Sequence, residues 1–287
     1  MARRAGYKRY TRSTAGNILF FFFLAVAGIF CTLPLIYSVC TAFKPLDELL
    51  VFPPRFFVQR PTLENFLQIP ALLETLRVPL ERYLLNSVFI SVVSTVLHII
   101  AASMAAFAFS KSRVKGRTVI FLIIQFSLLY NSTTLGLPQY LIFSGLGMID
   151  TFWVYILPAI PSSMGAFLMK QYMDASIPDT LLDAARIDGA GVFRMYAQLA
   201  MPMCKPAWMT LILFSFQSVW SVVPGGTIFK EELKTLPYAL SSIAQGGIAR
   251  AGSAMAATVA LMIPTIIVYF VTQSNVMETM STSGMKD

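Results

Sequence analysis

Six long stretches of this sequence carry no Asp, Glu, Lys or Arg: Asn17 to Phe43, Tyr83 to Ser110, Thr118 to Ile149, Thr151 to Met169, Pro206 to Phe229 and Ala251 to Val276. A helix that crosses hydrocarbon needs about 20 apolar residues, and each run approaches or exceeds that length. Backbone polar groups in hydrocarbon must find partners within the protein, so the runs are expected to be helices. The alternating pattern of a membrane barrel is absent. Only 13% of the 287 residues are charged, about half the share a water-soluble surface needs. A secreted disulfide scaffold, a disordered tail and an ordinary cytosolic enzyme are therefore excluded. The expected fold is an all-α membrane protein with six transmembrane helices, at about 17–43, 84–110, 118–137, 151–169, 206–229 and 253–274. Tails of 1–16 and 277–287 flank a membrane domain at 17–276. Thr118 to Ile149 is too long for one span, so it is read as a helix to about Leu137 followed by an outside segment.

Arg3, Arg4, Lys8, Arg9 and Arg12 precede the first run, as they would a signal peptide. A signal core is about 7 to 15 residues long with a small-residue cleavage site. This run is longer and leads into Thr-Ala-Phe-Lys, so an uncleaved first span is expected. With six spans, 14 of the 22 Lys and Arg fall on one face, including Lys111, Arg113, Lys115 and Arg117 in one short loop. Basic loops stay inside, which places both termini in the cytoplasm of a cytoplasmic (inner) membrane protein. The net charge of +8 then reports topology and not nucleic-acid binding. The segment from Lys44 to Arg82 becomes an external cap rich in proline, with a short helix near Leu72 to Leu76. Cys31, Cys40 and Cys204 have no paired or zinc-type spacing and are expected to be buried free thiols.

Ion-coupled carriers place ionisable groups within their spans. Here His98 is the one exception, read as an interhelical hydrogen-bond partner. No phosphate-cradling loop is present, no cluster has metal-ligand spacing, and no catalytic residues are assigned. No cofactor is expected in this chain, and active transport would have to draw energy from another polypeptide.

The segment 170–205 is the longest predicted cytoplasmic connection. Ser176, Pro178 and Asp179 form a helix-start signature. Leu181, Leu182, Ala184, Ala185 and Ile187 continue a short helix, and Asp188-Gly189 ends it because glycine adopts the left-handed cap cheaply. Val192, Phe193, Tyr196 and Leu199 follow at helical spacing, with Pro202 and Pro206 as breakers. This helix–glycine–helix elbow suits either a groove on a soluble subunit or a lipid interface, and residue chemistry alone leaves both open.

A resemblance separates them. Asp183-Ala184-Ala185, three residues, Gly189, nine residues, then Leu199-Ala200-Met201-Pro202 resembles the E-A-A-x-x-x-G…I-x-L-P pattern of permease subunits of ATP-binding-cassette importers. Asp replaces Glu at 183, Leu replaces Ile at 199 and Met replaces Leu at 201. The likeness is to the second permease of oligosaccharide importers, the maltose-transporter MalG type. It includes Asn65-Phe66, Leu85-Asn86-Ser87, Ala105 to Phe109 with Lys111, Gly116 and Arg117, Leu146 to Thr151, Ile177-Pro178, and the ending Thr282 to Lys286 after Gln273 and Asn275. Tyr130-Asn131-Ser132-Thr133 stands where that family usually has Met-Ile-Pro.

The resemblance implies the type I importer permease fold, with Leu182, Asp183, Ala184, Ala185, Arg186, Asp188, Gly189 and Ala190 as the coupling helix seated on an ATPase. It implies a second permease subunit in a heterodimer, two nucleotide-binding ATPase subunits that hold the ATP and Mg, an extracytoplasmic solute-binding protein and a carbohydrate solute, with membrane lipid around and no nucleic acid. A sugar needs aromatic faces and hydroxyl or amide partners. Candidates on the solute path are Tyr130, Asn131, Thr133, Thr134, Gln139, Tyr140, Gln217 and Trp220. The same machine serving a peptide, amino acid or polyamine is the nearest alternative, and a self-contained facilitator is a more distant one.

Overall fold

A computed structural model describes residues 14–74, 78–112, 115–129, 135–247 and 250–283. The described residues form helices and connecting segments, with no strand among them. Helix α1 (Thr14–Ala42) is uncharged and packs along the last helix, while most of its apolar side chains stay exposed. A short turn of helix, α2 (Leu46–Leu49), and α3 (Glu64–Glu74) form the cap that was expected to hold little structure. The cap is held by buried polar groups. Asn65 donates to the carbonyls of Ala42 (2.9 Å) and Lys44 (2.7 Å), satisfying acceptors at the end of α1. The Glu48 carboxylate accepts from the backbone amides of Gln59 and Arg60.

Helix α4 (Leu80–Lys111) is the central rod, 32 residues with neither proline nor glycine, or about 48 Å at 1.5 Å per residue. It is followed by α5 (Arg117–Ser127), α6 (Gly136–Gly145), α7 (Trp153–Ala159) and α8 (Ser163–Ser176). Then come α9 (Asp179–Ile187), α10 (Val192–Met203), α11 (Lys205–Trp220), α12 (Leu236–Ala244) and α13 (Ala251–Ser283). Helix α4 packs against α7, α8 and α11, and α11 packs against α13.

Among the described residues, three helices are long and apolar enough to cross a membrane: Gly16–Ala42, Leu80–Lys111 and Ala251–Val276. A fourth arises if α10 and α11, bent by 80°, count as one span. The expected third span divides into α5 and α6, and residues 130–134 between them lie outside the described residues. The expected fourth span, 151–169, is broken at Ile160–Ser162 into α7 and α8. Pro158 and Pro161 each remove a backbone donor there, and Ser162 starts the new helix by accepting from the Gly165 amide at 3.2 Å. The expected fifth span stops at Trp220, nine residues short of Phe229, because Pro224-Gly225-Gly226 turns the chain. Cys31 is exposed, contrary to the expectation that all three thiols are buried; Cys40 is intermediate and Cys204 buried. The cap helix runs over 64–74 and not 72–76, and residues 75–77 lie outside the described residues.

Asp150 joins two ends of this framework. Its φ of 59° is left-handed, and its carboxylate accepts from the amides of Phe229 (2.6 Å) and Lys230 (2.9 Å). Those bonds, the Lys230 amide foremost, hold its pKa below the ordinary aspartate value. Asp150→Ala is expected to raise proteolytic cleavage within 221–235 at least about threefold, because the segment loses its tether. A depressed carboxyl stabilises above its unfolded pKa and loses that contribution as pH falls through the folded value. The protection in the native chain should therefore be constant from neutral pH to about pH 4 and fall below it.

Candidate functional site: the hairpin and two cavities

The elbow around Gly189 is a helix terminus closed by backbone hydrogen bonds. The Gly189 amide donates to the Arg186 carbonyl (3.1 Å), and the Ala190 amide donates to the Ala185 carbonyl (2.9 Å). This pair is the Schellman pattern, which needs a left-handed residue at its corner. Gly189 supplies it at φ 79°. The helix begins at Asp179 with Pro178 as its cap residue, so Ser176 ends α8 and does not cap α9. The chain returns through Val192–Met203, where Met195–Ala200 is wound as a π-helix, a form that recurs at functional sites. The break before α11 falls at Cys204, not at Pro202.

The hairpin has two faces. Leu182 is 2% exposed and packs in a core with Phe107, Met169, Met173, Met195 and Leu211. Ala185 and Ala190 lean on the same core. The opposite face is bare: Ile187, Val192 and Phe193 are 86%, 65% and 73% exposed. Asp183, Ala184, Arg186, Asp188 and Gly189 are exposed beside them. The Arg186 guanidinium pairs with Asp183 at 2.6 Å within the helix. An apolar tip of this size, rimmed by charge, marks a contact surface.

The hairpin is fixed to the end of α4. Lys111, 6% exposed in its side chain, donates to the Ile177 carbonyl (2.7 Å) and pairs with Asp179 (2.8 Å). That hydrogen bond holds the Asp179 carboxyl below its ordinary range. Ser103 shares a hydrogen bond of 2.8 Å with the Tyr196 hydroxyl, whose ring meets Phe107 edge-on.

The candidate solute-path residues divide. Tyr130, Asn131, Thr133 and Thr134 lie outside the described residues. Gln139 and Tyr140 sit on α6, away from both cavities described below, with Tyr140 exposed. Gln217 and Trp220 come together on the wall of a cavity of about 610 Å³ between α11, α12 and α13. Ser221, Ser241, Thr258 and Thr265 share that wall. Trp220 is 4% exposed, and its indole N–H donates to the Leu261 carbonyl at 3.1 Å, three residues before Pro264 within α13. Its ring also stacks on Phe216.

A second cavity, of about 320 Å³, lies where α7 breaks from α8. His98, Ser162, Gly165, Phe214, Ser215 and Ser218 line it. Sequence reading assigned none of these to the solute, although Pro158 and Pro161 signalled the break. His98 Nδ1 donates to the Ile160 carbonyl at 3.1 Å, which in the neutral ring leaves Nε2 as an acceptor. Among the described residues, neither cavity has an Asp, Glu, Lys or Arg on its wall. Among the described residues no group of His, Cys, Asp or Glu is placed to hold a metal.

No model of a described protein family matches the chain. Single relatives match it almost end to end. It is 25% identical over 279 residues to the inner membrane ABC transporter permease protein YcjP of Escherichia coli, covering 96% of this chain and 98% of the relative. The chain is thus similar along almost its whole length to an ATP-binding-cassette transporter permease. It is also 27% identical over 287 residues to the galactooligosaccharides transport system permease protein GanQ of Bacillus subtilis, covering 97% of each. In fold, the chain resembles a chain of a bacterial ABC transporter involved in the import of the acidic polysaccharide alginate. The TM-score is 0.74 at 24% identity, over 93% of this chain and 99% of that one.

Proposed function

We propose that this chain is one half of an ATP-driven importer that carries an oligosaccharide or other carbohydrate across the cytoplasmic membrane. The observation that carries the reading is the apolar tip formed by Ile187, Val192 and Phe193 around Gly189, on a hairpin whose other face is locked into the helical core. A surface fixed behind and bare in front suits docking on a soluble ATPase. That partner holds the ATP and Mg, since this sequence has no phosphate loop. Closure of two such ATPase subunits pushes the hairpin as a rigid body and swings the permease pair between two packings.

In this reading six spans cross the membrane: α1, α4, α5 with the segment after it, α7 with α8, α11, and α13. Both termini are cytoplasmic, where the basic loops lie. The second permease subunit completes the cavity as a heterodimer, and an extracytoplasmic binding protein delivers the solute. Carbohydrate is supported by the galactooligosaccharide relative and by cavity chemistry. Both cavities offer hydroxyl, amide or imidazole groups beside apolar walls and carry no charged group, as neutral sugars require. Gln217 borders the larger cavity, and Ser162, Ser215 and Ser218 border the smaller.

Purification in mild detergent should yield this chain in a stable complex with an ATPase chain. Vesicles containing the complex and its binding protein should accumulate a labelled oligosaccharide only when ATP is present. Uptake by this chain alone, without ATP, would refute the proposal.

A further inference from the structure

Among the described residues, helix α4 differs from the other long helices. Pro34 lies inside α1, Pro264 lies inside α13, α10 and α11 are bent by 80°, and α7 breaks from α8. Helix α4 alone runs 32 residues without proline or glycine, so no point along it bends easily. Side chains fasten both of its ends to segments far away in sequence.

At one end are the two arms of the Gly189 hairpin. Lys111 holds the incoming arm through the Ile177 carbonyl and Asp179. Ser103 holds the outgoing arm through the Tyr196 hydroxyl. At the opposite end α4 grips 231–236. Asn86 donates to the carbonyls of Glu232 (2.8 Å) and Lys234 (2.9 Å). The Ser87 hydroxyl accepts from the Leu236 amide at 2.7 Å. Tyr83 donates to Glu231 at 2.8 Å, and Arg82 to the Glu232 carbonyl. The gripped segment is itself tied together. Lys234 donates to Glu231 (2.6 Å) and to Tyr238 (2.7 Å). Burial works to lower the Lys234 pKa, but the hydrogen bonds to Glu231 and Tyr238 and the charges of those groups together hold it above the ordinary lysine value.

We propose that α4 is a strut that makes the 231–236 segment follow the Gly189 hairpin, with Asn86, Ser87, Lys111 and Tyr196 as its positioning residues. Ser87 and Ser103 stand 16 residues apart, about 24 Å along the axis. An unbroken helix carries a displacement over that length, whereas a kinked one absorbs it. The proposal rests on the reading that an ATPase docks at the hairpin. It adds that the same push reaches the far face through one element, where the binding protein would sit.

Hydrogen exchange in the assembled complex tests this without knowledge of the solute. The probe is adenylyl imidodiphosphate with Mg²⁺. In the native complex the nucleotide should change amide exchange within 231–238 by at least about threefold. Combining Lys111→Met with Tyr196→Phe cuts the hairpin end and leaves the far grip untouched. It should reduce that nucleotide response to less than about half, as should Asn86→Ala with Ser87→Ala. An undiminished response in the first pair would overturn the strut, since a merely local role would alter exchange only near 177–200. A native complex that binds nucleotide without any response at 231–238 would overturn it too. Should the first pair fail to assemble, Tyr196→Phe alone decides, because it removes one oxygen and keeps the ring against Phe107. Failure of the native chain to copurify with an ATPase is a separate result. It would sink the docking reading, and the strut with it, before any nucleotide is added.

Discussion

Gly189→Val is expected to lower uptake at least about tenfold while the protein still reaches the membrane in native amounts. A Cβ at this position meets nothing within 4 Å, so the effect is not steric crowding inside the chain. It comes from the backbone. Gly189 sits at φ 79°, where an L-residue costs about 1–2 kcal/mol and a β-branched one more. Valine relieves that strain by leaving the left-handed region, which breaks the hydrogen bonds from Gly189 and Ala190 and redirects the tip carrying Ile187, Val192 and Phe193. Gly189→Asn should fall between valine and the native residue, since asparagine tolerates the left-handed region. Transport assays on membranes with matched protein levels check the order. Equal uptake by the valine and native proteins would contradict a role for elbow geometry.

Gly165→Ala should be a strongly damaging single-carbon change in the helical core. The new Cβ would lie 2.5 Å from His98 Cε1 and Nε2. The ring has little room to yield: His98 is 3% exposed, and its Nδ1 is held by the Ile160 carbonyl. Helix α8 must therefore move away from α4, at a cost of about 1–3 kcal/mol for overpacking. In a thermal unfolding series His98→Ala is expected to be destabilising by itself, through a lost hydrogen bond and a cavity. The double variant should be less destabilised than the sum of the two, because removing the ring removes the clash. Strict additivity would show that the two positions do not press on each other.

The elbow was legible in the sequence because its determinants are local. Asp188-Gly189 ends a helix whatever surrounds it, and the structure places the left-handed corner at that glycine. The three helices long enough to cross a membrane were legible for a similar reason, since an uncharged run of that length has no other stable environment. The local reading failed where proline and tertiary partners compete. Thr151 to Met169 looks continuous in hydropathy, yet Pro158, Pro161 and the Ser162 cap divide it. Ser176 carries a capping signature and caps nothing, because Pro178 already starts the helix. For Trp220 the sequence left open a solute contact or a core residue; it is buried on the wall of the larger cavity, with its N–H given to the Leu261 carbonyl. His98 was correctly read as a hydrogen-bond partner between helices, although its acceptor, the Ile160 carbonyl at a helix break, could not be inferred from spacing.

Hydropathy and spacing, acting over a few turns of chain, determined that this protein is helical, that it belongs in a membrane and that it bends at Gly189. Only the tertiary structure decided which face of the hairpin is locked and which is bare, where the two cavities open, and that α4 grips residues some 90 positions away at Ser103–Tyr196 and about 150 positions away at Ser87–Leu236. Those contacts depend on distances between segments that loop closure sets, and no local propensity encodes them.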